Sequence, residues 1–364
     1  MIRTAFWNKK KVLITGHTGF KGGWLSTWLL NMGAEVIGYA LEPDSQPCFF
    51  TLCGLSQKLE SVIDDVRNKE RLQGIMDTHN PEIVFHLAAQ PLVRYSYKEP
   101  VDTFATNVMG TVHLLEAVRQ NPSVRVVIIV TSDKCYENKE WIWGYREEEQ
   151  IGGRDPYSAS KACAELVTAS YRRSLFENSE LNVGIATVRA GNVIGGGDWG
   201  RDRLVPDAVR AFQSGQPLIV RNPFSVRPWQ HVLEPLAGYL LLAEELYDEE
   251  EKWAGAWNFG PGDESVVTVS SLCDMIINHW HLGKWQVSPP QEDFHEAHFL
   301  KLDSSKSRQM LGWHPCLTLE EAVKMTVEWY HKALSNGEGG QMYAVTCGQI
   351  RSYEKRWKEI QYNE

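Results

Sequence analysis

Residues 11–22 read KVLITGHTGFKG: a short apolar run, Lys11–Thr15, followed at once by glycines at 16, 19 and 22. Apolar residues at helical spacing continue through Phe20–Asn31. A strand that runs through a glycine turn into a helix brings bare backbone close to the helix N-terminus, where the charge of a pyrophosphate can rest. Among 29 glycines a G-x-x-G-x-x-G string is common by chance. Its position after the first buried strand is what gives it weight. Working outward, strand-like and helix-like segments alternate: Glu35–Leu41, Arg67–His79, Ile83–Ala88, Asp102–Gln120, Val124–Thr131, Tyr157–Phe176 and Asn182–Arg189. Near-continuous Val/Ile/Leu strands separated by helices imply a parallel sheet covered on both faces.

The fold expected is therefore α/β: a doubly wound parallel Rossmann sheet with a smaller, interleaved C-terminal lobe. After Arg189 the rhythm breaks. Ala190–Arg203 is glycine-rich and polar, Val205–Ser214 is a short helix pattern, and Pro217–Val220 a small strand. Ala256–Gly260 could return to the main sheet, and Leu272–His279 and Leu319–Leu334 are amphipathic helices. This divides the chain into a dinucleotide-binding domain, 1–190 with about 230–262, and a substrate lobe, 191–229 with 263–364. Residues 336–340 read as a loop, and the tail to 364 as an oligomer contact or a cap.

Composition narrows the function. The chain has 364 residues, 37 Lys+Arg against 46 Asp+Glu, and a net charge of −9 with no basic block, which argues against a nucleic-acid partner. No apolar run approaches the length of a membrane span, and Met1–Lys11 has no apolar targeting core. The seven cysteines are irregularly spaced with no C-x-x-C pair, as expected of reduced thiols in a cytoplasmic protein without a metal site. The 14 tryptophans read as packing residues and oligomer contacts.

The second strand ends Tyr39-Ala40-Leu41-Glu42, without the Asp that commonly reads an adenosine ribose. No Lys or Arg lies between Lys21 and Lys58 to meet a 2′-phosphate, so NAD is favoured over NADP. Asp64-Asp65-Val66 ends the next strand, where the Asp65 carboxylate can accept from the adenine amino group.

Tyr157 and Lys161 form Y-x-x-x-K on a helix, one turn apart on one face. Of thirteen tyrosines only this one has Lys four residues on. A free phenol has a pKa of ~10, so action near neutrality needs a drop of roughly 2–3 units, about 3–4 kcal/mol. A fixed Lys161 and a nicotinamide cation would supply it.

At this point the chain resembles the extended short-chain dehydrogenase/reductases that act on nucleotide sugars. The matching pieces run nearly the whole length in order: the Gly16–Gly22 loop, Phe85-His-Leu-Ala-Ala89, Asn107-x-x-Gly-Thr111, Ser132 with Tyr157 and Lys161, Arg189-Ala-Gly-Asn192, Arg227-Pro-Trp and Leu311-Gly-Trp-x-Pro315. The resemblance implies a Ser132–Tyr157–Lys161 triad, supported from behind by Asn107. It implies NAD held by Gly16, His17, Gly19, Phe20, Gly22, Asp65, Val66, Leu87, Ala88, Ala89, Tyr157 and Lys161. After the triad Ser, simple epimerases carry small or apolar residues, whereas 4,6-dehydratases carry an acid and then a base. Asp133-Lys134 fits the second pattern, with Lys in place of the usual Glu. With His17 and Gly195-Gly-Gly-Asp-Trp199, this most resembles the dehydratases of CDP-glucose, which serve deoxysugar and surface-polysaccharide biosynthesis. Asp133 would then be the acid at C6 and Lys134 the base at C5, with His17 the alternative base. Asn192, Arg203 and Arg227 would hold the nucleotide-sugar phosphates, and His86 and His231 would be packing residues. The partners expected are a nucleotide sugar, no nucleic acid and no membrane. A homodimer or homotetramer would form through the two long helices. A sugar-nucleotide 4-epimerase would share the triad without needing Asp133 or Lys134, and a dinucleotide-sensing protein would need neither Tyr157 nor Lys161.

Overall fold

The computed structural model describes residues 2–177, 179–288, 298–336 and 340–361. Six apolar segments form the expected strands: β1 (Lys11–Thr15), β2 (Glu35–Ala40), β3 (Glu60–Ile63), β4 (Ile83–His86), β5 (Val126–Val130) and β6 (Gly184–Ala190). Three short strands follow, β7 (Asn192–Ile194), β8 (Leu218–Val220) and β9 (Val226–His231), and then β10 (Gly255–Phe259). The main sheet has seven strands in the order β3-β2-β1-β4-β5-β6-β10. All of its pairings are parallel. The order reverses at β1, and in such sheets the crevice at the strands' carboxyl ends beside the reversal is where ligands bind. Strands β4, β5 and β6 are buried along their whole length, which is why β4 and β5 read as apolar runs rather than alternations.

The return of 256–260 to the sheet is as expected, on the free edge of β6. The two long helices also form, each with one wider, π-type turn: Pro100–Arg119 widens at Ala105–Met109, and Pro156–Phe176 at Arg172–Phe176. Outside the main sheet, β11 (Val266–Thr268) joins β9 and β7 in a three-stranded sheet, and β12 (Trp285–Val287) pairs with β8. Residues of β7, β8 and β9 line the cleft described below.

The helix Gln341–Gln361, in the tail read as an oligomer contact or a cap, packs against the sheet-covering helix Phe20–Asn31. The Trp28 indole donates to Glu354 at 2.7 Å, and the Tyr353 hydroxyl donates at 2.7 Å to buried Glu234, at the start of the helix Leu233–Asp248. Backbone amides of Cys316 and Leu317 donate to the other oxygen of Glu234. Burial raises the Glu234 carboxyl to about 7. The tail therefore caps the dinucleotide domain, because its apolar face matches that domain's tryptophans. Trp7, Trp24, Trp28, Trp257, Trp313 and Trp329 are fully buried. Residues 337–339 of the expected loop and 362–364 of the tail lie outside the described residues.

Candidate active site

A cleft of about 1330 Å³ opens at the carboxyl ends of the central strands. Its floor is the Gly16–Gly22 loop. Gly16 takes φ +82°, and an added Cβ there would stand 2.7 Å from the Ala88 nitrogen. At Gly22 an added Cβ would stand 2.1 Å from the Gly16 carbonyl oxygen. Gly19 caps the helix Phe20–Asn31 without any side-chain hydrogen bond to its first amides. A bare helix N-terminus at the end of a glycine cradle fits a dinucleotide pyrophosphate. Phe20, Leu87, Ala88, Ala89 and Val66 line the same surface.

His17 does not. Its side chain turns behind the loop, with Nε2 2.7 Å from Ser61 Oγ and the ring edge-on to Phe50. The ring fills the space left by Gly38, where an added Cβ would come within 2.3 Å of it. Burial lowers the imidazole to about 4. Any contribution of His17 to the cofactor site is through its backbone, and it cannot serve as the alternative base.

Beyond the ends of β2 and β3, Glu42 and Asp65 line the cleft. The Tyr39 hydroxyl donates to the Asp65 carbonyl at 2.9 Å. The Asp65 carboxylate is gripped by Arg67, whose Nε donates at 2.9 Å and whose backbone amide donates at 2.8 Å.

The catalytic end is built where β5 stops. Ser132 takes an extended conformation and caps the turn Asp133–Cys135: the Lys134 amide donates to Ser132 Oγ at 3.2 Å, and Ser132 Oγ donates to Asp133 Oδ1 at 3.0 Å. Asp133 is 2 % exposed, and its Oδ2 has no protein partner. Facing it is the helix Pro156–Tyr171, begun by Pro156 and by Asp155, which accepts from the Ser158 amide at 2.9 Å. Its second residue is Tyr157, which lines the cleft with Ser132. Burial pushes the Tyr157 phenol up to about 12, against the opposing pull of the Ser132 hydroxyl and of the Arg203 charge. The Lys161 ammonium donates to the Val130 carbonyl at 3.1 Å, and burial lowers it to about 8. Asn107 lies in the widened turn of its helix, bonded to the Gln90 carbonyl and at 2.8 Å to Ser160, so it braces the Tyr157 helix from behind. Lys134 lines the cleft beside Asp133.

Asn192, Arg203 and Arg227 line the same cleft. Asn192 Oδ1 is buried without a protein partner. Arg203 Nη1 lies between the two Asp198 oxygens at 3.0 and 2.9 Å. Arg227 Nη1 donates to the carbonyls of Val226 and His298. All the proposed site residues except the His17 side chain are thus brought to one cleft.

The family model described as GDP-mannose 4,6 dehydratase matches residues 13–326. The chain belongs to this family of nucleotide-sugar 4,6-dehydratases. It is 52% identical over 341 residues to a CDP-glucose 4,6-dehydratase of Salmonella typhimurium, covering 93% of this chain and 95% of that one. To dTDP-glucose 4,6-dehydratase 1 of Escherichia coli it is 25% identical over 349 residues, covering 88% and 92%. Among solved structures, the UDP-glucose 4-epimerase of Thermotoga maritima, crystallised with UDP-glucose, superposes with a TM-score of 0.77 at 25% identity, covering 89% of this chain and 99% of that one.

Two features of this dehydratase escaped the sequence reading. Lys21, a spacer in the glycine string, extends into the catalytic end, where burial and the Arg203 charge lower it to about 8 and Asp133 and Asp198 pull it back up. The signal was a lysine in the first turn of an otherwise apolar helix. The second is a buried ion pair behind the triad. Arg189 Nε and Nη2 meet the two Glu165 oxygens at 2.8 Å each, and Thr131 and Thr187 donate to the same carboxylate. Glu165 is one turn beyond Lys161, so the spacing alone could have placed it on that face. His86 is buried between Thr15 (2.7 Å) and Thr111 (3.3 Å), and His231 Nδ1 accepts the Leu233 amide, both in packing positions as expected. Among the described residues no group of His, Cys, Asp or Glu could hold a metal ion, and no helix is long and apolar enough to cross a membrane.

Proposed function

We propose that this dehydratase converts CDP-glucose into CDP-4-keto-6-deoxyglucose and water, with NAD as a recycled cofactor. The single observation that carries the reading is Asp133: a buried carboxyl joined to the triad through Ser132, with its second oxygen left unpartnered. An epimerase has no use for an acid there. The 52% identity to a CDP-glucose enzyme supports cytosine as the base.

Gly16, Gly19, Phe20 and Gly22 hold the NAD pyrophosphate, Leu87–Ala89 and Val66 line its path, and Asp65 accepts from the adenine. When bound, NAD supplies a hydride acceptor at C4 and a hydride donor at C6. Tyr157 takes the O4 proton, and Ser132 orients that hydroxyl. Lys161 provides the positive charge that favours the phenolate. The 4-ketone acidifies C5, where Lys134 takes the proton, and Asp133 protonates the oxygen that leaves C6. Asn192, Arg203 and Arg227 bind the diphosphate of the substrate, the guanidinium forks matching its oxygens.

The enzyme works in the cytoplasm as a homo-oligomer. Val101 (82 % exposed) and Met109 on one long helix, and Leu166 (61 %) and Leu175 on the other, leave apolar surface for a four-helix contact with a second copy. Light scattering that reports a monomer at micromolar concentration would contradict this assembly.

The test of the reaction is a panel of CDP-, dTDP-, UDP- and GDP-glucose, each with and without added NAD. The alkaline absorbance of a 4-keto-6-deoxy sugar should rise with CDP-glucose first. A C4 epimer formed without that absorbance would return the protein to the epimerases.

A further inference from the structure

The reaction proposed above leaves the loop Gly195–Trp199 without a task, yet the loop is firmly seated. An added Cβ at Gly196 would stand 2.1 Å from the Trp329 ring. Gly197 takes φ +82°, with the Phe49 ring 2.5 Å from where a Cβ would lie. Two backbone carbonyls are pinned as well. Trp24 Nε1 donates to that of Gly196 at 2.9 Å, and the Tyr330 hydroxyl donates to that of Asp198. What this packing delivers to the cleft is the Asp198 carboxylate, in a residue 6 % exposed. By charge alone it is out of place, because it repels the diphosphate that Asn192, Arg203 and Arg227 would hold.

We infer that Asp198 is a positioning residue for the substrate: it fixes the Arg203 guanidinium by one nitrogen and so presents the remaining edge to a phosphate of the nucleotide sugar. This rests on the reading above that Arg203 meets the diphosphate. Arg203 Nη1 lies 3.0 and 2.9 Å from the two Asp198 oxygens, and among the described residues Nε and Nη2 donate to no protein group. Those two N–H groups make the fork that matches two phosphate oxygens. The pair lies across Gly200. A Cβ added there would stand 3.2 Å from Arg203 Nε and from Asp198 Oδ1, and the Gly200 amide donates to the same Oδ1 at 3.0 Å.

Arg203 requires such a partner. It is the N-cap of the helix Leu204–Gln213, an end where the helix dipole disfavours a cation. Its side chain is 35 % exposed on a long stem, against 8 % for that of Asp198. Asp198 supplies the opposite charge at that helix end and removes the freedom of the stem before the substrate arrives. The carboxylate therefore has two opposed effects on an incoming phosphate, repulsion and orientation. The guanidinium it holds offsets its charge, so orientation prevails.

The sign of the effect can be read from the binding of CDP to the NAD-loaded enzyme by calorimetry. Asp198→Ala leaves the loop's backbone contacts with Trp24 and Tyr330 in place and should weaken CDP roughly 10-fold, the scale of a lost charge-assisted contact. Asp198→Asn keeps an acceptor oxygen for Nη1 and should weaken it only about 3-fold. In an Arg203→Ala background, Asp198→Ala should no longer weaken CDP, because no guanidinium is left to be positioned. Unchanged or tighter CDP binding in either single variant overturns the inference, since the carboxylate would then act by charge alone. The Asn variant carries this test even if the Ala variant does not fold. Equal weakening with and without Arg203 also overturns it, since Asp198 would then serve only the shape of the loop. Failure of the underlying reading looks different: Arg203→Ala by itself would leave CDP affinity unchanged.

Discussion

The two walls of the cleft are made of different material. The cofactor wall, Gly16–Gly22 with Leu87–Ala89, is largely backbone: its shape depends on side chains being absent where an added Cβ would strike a carbonyl or an amide. The catalytic wall, Ser132–Lys134 with Tyr157 and Lys161, is made of polar side chains and is braced from behind by the Glu165–Arg189 pair. A backbone surface binds whatever carries a pyrophosphate. A side-chain surface decides what is then done to the sugar. Damage to one wall should therefore show in binding, and damage to the other in chemistry or stability.

The largest expected effect is on chemistry alone. Tyr157→Phe keeps the ring and removes the proton acceptor, so turnover should fall by ~10²–10⁴ while substrate binding by calorimetry changes little. Near-normal turnover would remove Tyr157 from the mechanism. Next comes the brace. Arg189→Met strands a buried Glu165 carboxylate with only its threonine donors, and should cost about 3–5 kcal/mol in denaturant unfolding. A loss below ~1 kcal/mol, the value of an exposed pair, would mean the wall is not held this way.

Damage to the cofactor wall should read differently. Gly22→Ala sets a methyl group against the Gly16 carbonyl, a crowding of about 1–3 kcal/mol that should appear as weaker NAD binding by fluorescence titration. The stability of the Arg189 brace should be untouched. Unaltered NAD affinity would show that the cradle is not where the pyrophosphate rests.

The smallest effect, taken per unit of pH, is a slope in stability, and it belongs to the cofactor side. His17 lies behind the glycine loop and His86 at the end of β4, lowered by burial to about 4 and about 3. Each is neutral when folded, whereas the unfolded chain binds a proton near 6.5. Their contribution is complete above that pH and is lost as the pH falls through the folded values. Below pH 6.5 each should remove about 1.4 kcal/mol of stability per pH unit. Glu234 works in the opposite sense: raised to about 7, it stabilises below its unfolded value near 4.5 and loses that contribution as pH rises toward 7. Unfolding measured between these limits should show His17→Gln with the shallower acid slope. An unchanged slope would mean that His17 already carries a proton in the folded protein.

The same contrast explains what could be read from the sequence. Gly16, Gly19 and Gly22 were legible because a backbone surface needs glycine, and Tyr157–Lys161 because helical spacing sets two side chains on one face. The strands of the sheet were legible because burial on both faces leaves little but Val, Ile and Leu. The direction of His17 was not: it depends on Gly38, a residue of the neighbouring strand, leaving room for an imidazole. The engagement of Lys161 with Val130, and of the C-terminal helix with Trp28 and Glu234, also depends on partners far along the chain. Periodicity shows that a helix has an apolar face without showing what that face meets. Lys21 was missed for a simpler cause: in a string read for its glycines, a charged residue between them counted only as a spacer.

The central claim is that one substrate molecule is oxidised at C4, dehydrated across C5 and C6, and reduced at C6 within a single active site. It is tested most directly by CDP-glucose carrying deuterium at C4, with the product analysed by mass spectrometry and NMR. The deuterium should appear at C6 of the 4-keto-6-deoxy sugar, in the same molecule, when labelled and unlabelled substrates are mixed. Deuterium retained at C4 of a 4-epimer, or found in free NADH with no dehydrated sugar, would contradict the account.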